Sequence, residues 1–303
     1  MDLQEKLDKI DKLKKQHNAL ILAHNYVIPE VQDLADFVGD SLELSIKAQR
    51  SSSPVIVFCG VSFMAETAKI LSPQSIVLHP TPNSGCPMAD MVDAEKVRTL
   101  KQDMPHAVTV CYVNSTAAVK AEVDICCTSA NAAKIIDSIP EDREIIFMPD
   151  KNLGANVARE LQREITLFPG FCPTHDRILP EMLIDTKKQY PHAEVLVHPE
   201  CSPEVVELAD YALSTGGILR HVRQSDSKYF IIGTEEGILH RLRKENPGKE
   251  FILLHSALLC PNMKKISVDD VLASLEKMQY QVKLSPELIE KARRPIERML
   301  ELS

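Results

Sequence analysis

Residues 19–26 read ALILAHNY, residues 107–114 read AVTVCYVN, and residues 193–200 read AEVLVHPE. Each is a short apolar or β-branched run that ends in polar residues, and the ends fall into register: Tyr26, Asn114 and Glu200 are 88 and 86 residues apart. Outward from these stretches the spacing recurs. Ser41, Ser129 and Thr215 keep the same two intervals, and Cys86, Cys172 and Cys260 are separated by 86 and 88, each followed by proline in GCPMAD, FCPTHD and LCPNMK. A period of about 87 residues is longer than any solenoid repeat and matches a small α/β domain used three times.

Further apolar runs stand at matching places in each unit: VIVFCG, EIIFMPD and KYFIIGT, then SIVLHP, ITLFPG and EFILLHS. Continuous runs of this kind, without alternation, suit parallel strands covered on both faces. Helical periodicity fills the intervals, over residues 62–71, 152–161 and 234–245 after the second strands and over 92–104, 179–191 and 267–278 after the three cysteines. Alternating strand and helix predicts an α/β fold of three three-layer αβα units with parallel sheets, related by a pseudo-three-fold axis around a central active-site cavity. The repeat sets the units at 1–90 plus 265–303, 91–177 and 178–264. The last helix, about 285–301, has no counterpart in the period and is expected to pack on the first unit with residues 1–17.

The chain has 303 residues, 44% of them hydrophobic, enough for a large apolar core. Eight cysteines are too sparse for a secreted disulfide scaffold, and residues 1–18 read as a charged helix rather than a signal peptide, so a reducing cytoplasm is expected. No apolar run approaches the ~20 residues of a membrane span. With a net charge of −8, no Trp and no basic stripe, the chain carries no footprint for nucleic acid.

In open parallel sheets, ligands bind at the carboxyl ends of the strands. His24 and Tyr26, Tyr112 and Asn114, and His198 and Glu200 fall at those ends, and a three-fold arrangement turns all three sets toward one cavity. Taken singly, each has a structural reading as a hydrogen-bonded core histidine or a strand-capping tyrosine; their coincidence across three units favours a site. Ser41, Ser129 and the pair Ser214-Thr215 stand where helices begin, the ordinary N-cap position. Meeting in one cavity, such hydroxyls with free helical N–H groups would also bind an anion carrying several negative groups.

Soft thiolates select iron–sulfur clusters, copper(I) or zinc. Three cysteines, one per repeat, leave one coordination position open, where a metal can act as a Lewis acid on a hydroxyl or carboxylate. Cys59, Cys111, Cys126, Cys127 and Cys201 are read as small buried hydrophobes; Cys126 and Cys127 are neighbours in a strand and face opposite ways.

These residues resemble the quinolinate synthase family along essentially the whole chain, through LAHNYVIPEVQDLADFVGDSLELS, NSGCPMADM, VCYVNSTAAVKAEVDICCTSAN, MPDKNLG, FPGFCPTHDRI, VHPECSPEV, STGG and LLCPNMKKI. The resemblance implies condensation of iminoaspartate with dihydroxyacetone phosphate to quinolinate, with loss of phosphate and two waters, on the route to NAD. It implies a [4Fe-4S] cluster held by Cys86, Cys172 and Cys260 with one iron open to the cavity. It further implies acid, base and positioning roles for Tyr26, Tyr112, His24, His198 and Glu200, with Asn114, Ser41, Ser129 and Thr215 holding substrate. Glu200, paired with His198 or a tyrosine hydroxyl, is the expected proton shuttle, and His175 an additional substrate or supporting contact. The partner implied is an enzyme that supplies iminoaspartate, an aspartate oxidase or aspartate dehydrogenase. Some members carry a C-x-x-C pair at the last ligand; here Cys260 is followed three residues on by Met263, so a thiol switch there is not expected. Two rivals share part of this pattern: a hydro-lyase that dehydrates a polycarboxylate on the same kind of cluster, and a non-catalytic iron–sulfur or zinc protein.

Overall fold

Strands rich in Val, Ile and Phe, with few polar residues along them, must be covered on both sides. The computed structural model describes residues 1–303 and places them in three parallel sheets. The first holds β1 (Ala19–His24), β2 (Phe37–Gly39), β3 (Val55–Cys59) and β4 (Ile76–Leu78) in the order β2-β1-β3-β4. The second holds β5 (Val108–Tyr112), β6 (Ile125–Cys127), β7 (Ile145–Met148) and β8 (Thr166–Leu167) in the order β6-β5-β7-β8. The third repeats it with β9 (Glu194–Val197), β10 (Tyr211–Ala212), β11 (Tyr229–Gly233) and β12 (Glu250–Leu253), ordered β10-β9-β11-β12. Flanking helices complete three αβα units, as the 87-residue period predicts.

In each sheet the chain runs one way from the first strand to the second and the other way to the third and fourth. The carboxyl ends of β1 and β3, of β5 and β7, and of β9 and β11 therefore flank a switch point, where loops diverge and a crevice opens. Five of the six helices expected from periodicity start and end within two residues of their predicted limits, such as Ser62–Leu71 and Val268–Lys277. The sixth begins late, at Ile238 rather than Thr234, because Glu235 is spent on a turn: its Oε2 accepts the Gly237 N–H at 2.7 Å and its Oε1 the Cys260 N–H at 3.0 Å. The short edge strands β2 and β10 escape a sequence reading because three and two residues carry no periodicity.

A polar clamp recurs in every unit. Asp36, Asp124 and Asp210 accept the backbone N–H of Ile21, Thr109 and Val195 at 2.8, 2.9 and 2.7 Å. Lys14, Lys101 and Lys187, from the helix before each sheet, reach the same carboxylates at 2.8, 3.3 and 3.3 Å. The clamp ties the loop before the edge strand to the first strand, and so fixes where the first strand ends.

The closing helix, Pro286–Glu301, departs from expectation. It lies along β6 and the helix Ala117–Lys120 of the second unit, touching the first unit through Ser62–Leu71. The four-residue helix Ala117–Lys120 leaves the β6 edge thinly covered, and the buried face of Ala292, Pro295, Ile296 and Met299 fills that gap. Val268–Lys277 is the element that packs against Leu3–His17.

Candidate active site

The three switch points face one another. His24, Tyr26, Ser41, Cys86, Tyr112, Asn114, Ser129, Cys172, His175, His198, Glu200, Thr215 and Cys260, every site residue expected from the sequence, line a single cavity of about 150 Å³. Sheet register explains the convergence, since residues that end equivalent strands point to equivalent places around the axis.

Glu200 is the hub. Its side chain is almost fully buried; Tyr112 Oη donates to Oε1 at 2.6 Å, and His175 Nδ1 lies 2.7 Å from Oε2. Asn114 Nδ2 stands farther from Oε1, at 3.5 Å. Burial favours the protonated acid, but the imidazoles of His198 and His175 and the hydrogen bonds from His175 and Tyr112 outweigh it and hold the carboxyl below the usual range. Of the two expected pairings the one with a tyrosine hydroxyl is present, to Tyr112, while the histidine partner is His175 rather than His198, because His198 Nδ1 is 3.8 Å from the carboxylate and already accepts the Glu200 N–H at 3.2 Å.

The first unit repeats that turn: His24 Nδ1 accepts the Tyr26 N–H at 3.2 Å. Burial pushes both His24 and His198 down to about 3, so the rings are neutral near pH 7. With Nδ1 occupied as an acceptor, the proton resides on Nε2, and each ring offers one N–H donor. Burial raises both Tyr26 and Tyr112 well above the ordinary tyrosine value, so they too are neutral hydroxyls. Asn114 Oδ1 is buried with no partner, an acceptor left for a ligand donor.

Ser41, Ser129 and Thr215 are not the caps of their helices. Asp40 caps Ser41–Gln49 and Ser214 caps Thr215–Gln224, while Asn131 precedes Ala132–Asp137. The Asp40 carboxylate also accepts the Gly216 N–H at 3.1 Å, an approach that needs glycine, since a Cβ there would lie 2.6 Å from Oδ2. The expected ring of free helical N–H groups is thus mostly consumed inside the protein. What remains at each of the two longer helices is the first residue, Ser41 or Thr215, whose backbone N–H has no internal partner. Arg177, on the rim, is the one arginine or lysine among the lining residues.

Cys86, Cys172 and Cys260 come from equivalent loops, and the two later loops are tied down by buried carboxylates: Cys172 N–H donates to Asp150 Oδ2 at 3.1 Å and Cys260 N–H to Glu235 Oε1 at 3.0 Å. Burial pushes the Cys86 thiol up to about 12, and burial likewise raises Cys172 and Cys260. Charge on Cys260 would add to the rise at Cys86, and charge on Cys86 to that at Cys172, so the thiols sit close enough to repel one another as anions. Such a trio gives up its protons only to a cation bound among them, and soft sulfur donors suit iron–sulfur chemistry. The residues fit the expected cluster. The other five cysteines are fully buried and none lines the cavity.

One tighter group is also present: the ligand atoms of Cys172, His175 and Glu200 lie within 4.8 Å of one another. A single ion could sit there, but it would displace the His175–Glu200 and Tyr112–Glu200 contacts and leave Cys86 and Cys260 unused.

The sequence reading missed the residues on the far lip of each switch point. Thr234 is the first residue after β11, and Asp150 and Glu235 are the second after β7 and β11, where the first unit has Gly60 and Val61. All three are fully buried. Polar residues placed just after a wholly apolar strand were the available signal.

Three repeated α/β units that bring one cysteine apiece to a shared polar cavity define the class, an α/β protein whose small-molecule site is walled by three thiols. The sequence profile described as quinolinate synthetase A protein matches residues 8–301, and the chain belongs to that family. It is similar to a quinolinate synthase of Dehalococcoides mccartyi, 54% identical over 292 residues that cover 96% of both chains. A quinolinate synthase of Desulforudis audaxviator is 50% identical over 303 residues, covering 100% of each, and one of Geobacter sp. is 53% identical over 291 residues, covering 96% of this chain and 95% of that protein. No helix is long and apolar enough to cross a membrane.

Proposed function

We propose that this chain is a quinolinate synthase of NAD biosynthesis, condensing iminoaspartate with dihydroxyacetone phosphate to quinolinate, phosphate and two waters. The observation that carries the reading is the meeting of three repeat-related thiols with Tyr26, Tyr112 and Glu200 in one cavity. Cys86, Cys172 and Cys260 would hold a [4Fe-4S] cluster, which when bound supplies a Lewis-acidic iron for the dehydration.

The reaction moves protons repeatedly, and the hydrogen-bond hub supports Glu200 as the group that takes and returns them. An ionised carboxylate held by the Tyr112 hydroxyl and His175 is a poised base, and Tyr112 can return a proton through the same 2.6 Å contact. Neutral His24 and His198 suit donation from Nε2–H to carbonyl or carboxylate oxygens without trapping an anion too tightly. The unpartnered Asn114 Oδ1 suits the imine or enamine N–H. Ser41, with a hydroxyl and an unused N–H, and Thr215, with an unused N–H, suit carboxylates, and Arg177 at the rim suits the phosphate. Iminoaspartate would come from an aspartate-oxidising enzyme, an oxidase or a dehydrogenase, in a reducing compartment that preserves the cluster.

The test is direct. Anaerobically purified protein with about four irons per chain is given dihydroxyacetone phosphate and freshly generated iminoaspartate, and in parallel only hydroxylated polycarboxylates. Quinolinate formed solely when both proposed substrates are present upholds the reading. Turnover of a hydroxyacid alone selects the hydro-lyase, and no turnover of either selects a non-catalytic iron–sulfur protein.

A further inference from the structure

Thr234 occupies the first position after β11, is fully buried, and is not among the residues that line the cavity. Its Oγ1 lies 2.6 Å from Tyr26 Oη and 2.9 Å from His175 Nε2. It thus joins a residue of the first unit to one of the second from a seat in the third. The aligned residues in the other units, Gly60 and Pro149, have no side-chain hydroxyl, so packing of the repeat does not demand one here.

The tautomer of His175 sets the direction of each contact. Glu200 accepts at both oxygens, from Tyr112 and from His175, so the 2.7 Å contact to Oε2 places a proton on His175 Nδ1. Nδ1–H is shared weakly with Cys172 Sγ at 3.2 Å. In the Nδ1–H tautomer the ring has a lone pair at Nε2, which accepts the single Thr234 hydroxyl hydrogen. Having donated its hydrogen, Thr234 Oγ1 can only accept from Tyr26. Tyr26 in turn accepts from Thr215 Oγ1 at 2.7 Å. One hydroxyl hydrogen therefore decides which way three side chains from three units point their donors.

We propose that Thr234 is a positioning residue for the condensation, holding His175 in the tautomer that supports Glu200 and turning the Tyr26 hydroxyl hydrogen away from the ligand, so that Tyr26 meets the substrate as an acceptor. The inference rests on the quinolinate synthase reading. Loss of the Thr234 hydroxyl frees Tyr26 to rotate its hydrogen into the cavity and removes the donor that fixes the His175 tautomer. Misplacement of catalytic groups on this scale costs up to about 100-fold in rate.

The experiment compares Thr234→Val, which keeps the side-chain shape, with Thr234→Ser, which keeps the hydroxyl, both loaded anaerobically with iron and sulfide. The expected result for Thr234→Val is a kcat lowered by about 10- to 100-fold, a KM within about threefold of the parent's, and unchanged cluster absorption. Thr234→Ser should restore most of kcat. Combining Thr234→Val with Tyr26→Phe should cost less than the two separate losses multiplied, because both remove one hydrogen-bonded unit. A kcat for Thr234→Val equal to the parent's, a Ser variant as impaired as the Val variant, strict multiplicativity with Tyr26→Phe, or loss of the cluster would each overturn the inference. If the Val variant does not fold, Thr234→Ala against Thr234→Ser decides between the same outcomes. A parent enzyme that makes no quinolinate removes the underlying reading; a parent that makes it, with a Val variant unimpaired, removes only the role of Thr234.

Discussion

Replacing Tyr112 by Phe deletes one oxygen and leaves the ring in place, so its effect isolates the 2.6 Å hydrogen bond to Glu200 Oε1. After the change that oxygen has only Asn114 Nδ2, at 3.5 Å. Hydrogen bonds to charged groups are worth about 1.5–3 kcal/mol. If the contact serves the proton-transfer transition state, that energy translates to a fall in kcat of roughly 10- to 150-fold. The pH profile carries the sharper signal. Glu200 is held below the usual carboxylate range against the pull of burial by His198 and His175 and by hydrogen bonds that include the one from Tyr112. Without that bond the protonated acid gains ground, the carboxyl pKa rises, and the acid limb of kcat against pH moves to higher pH while the alkaline limb stays. Quinolinate formation by anaerobically loaded enzyme, followed from acid to alkaline pH with the cluster absorption recorded in the same cuvette, measures both quantities. Retained cluster, kcat within about threefold of the parent's and an unmoved acid limb would refute the assignment of Glu200 as the proton-transfer group supported by Tyr112.

Three other perturbations test separate parts of the structure. Cys86→Ser should abolish the cluster absorption and quinolinate formation together, because a hard hydroxyl replaces one of three soft donors; activity with two cysteines left would contradict the ligand set. Lys264→Met leaves the fully buried Glu235 without the ammonium 2.8 Å away and should destabilise the fold by about 3 kcal/mol in urea titrations. Adding Glu235→Gln should recover much of that loss, and a cost below about 1 kcal/mol for the single change would show the pair to be solvated. Asp124→Asn should cost about 1 kcal/mol at pH 7, little of it from the half-exposed Lys101 pair. Burial opposes ionisation of Asp124, yet its bonds to Thr109 and Lys101 lower its folded pKa. Its contribution is therefore full above the unfolded value and lost as pH falls through the folded one, so the stability gap between parent and variant should close in acid.

Much of this was readable from spacing alone. A strand buried on both faces has to be apolar throughout, so ALILAH, VTVCY and EVLV declare themselves, and the polar residue after each is conspicuous against that background. The cysteines were legible because three Cys-Pro pairs at a fixed period have no common structural cause. Partner choice within the cavity was legible for the tyrosine hydroxyl on Glu200 but not for the histidine. Glu200 pairs with His175 rather than His198 because the backbone turn at residues 198–200 consumes His198 Nδ1, a detail of ψ and χ angles that no spacing encodes. At the first of these helices the cap is one residue earlier than expected for a similar reason, since Asp40 and Ser41 are neighbours that compete for one role, whereas of the pair Ser214-Thr215 it is Ser214 that caps. The closing helix was misplaced because a helix outside the period has no counterpart to show which sheet edge lacks cover.

The repeat carries two sorts of triplet, and telling them apart explains how a symmetric scaffold does asymmetric chemistry. Lys14, Lys101 and Lys187 with Asp36, Asp124 and Asp210 keep one residue type in every unit and do one mechanical job. Cys86, Cys172 and Cys260 also keep one type, as three thiols brought by equivalent loops to one cavity. At the strand ends identity breaks down: His24, Tyr112 and His198 occupy one aligned position, and Tyr26, Asn114 and Glu200 the next but one. A cavity with three-fold identical walls would offer the same donor three times and could not separate acid from base, or one substrate from the other. Holding the backbone symmetric lets the clamps and thiols be shared. Varying only the residues at the carboxyl ends then places a neutral tyrosine, an amide and a carboxylate around the same point, which a two-substrate condensation followed by dehydration requires.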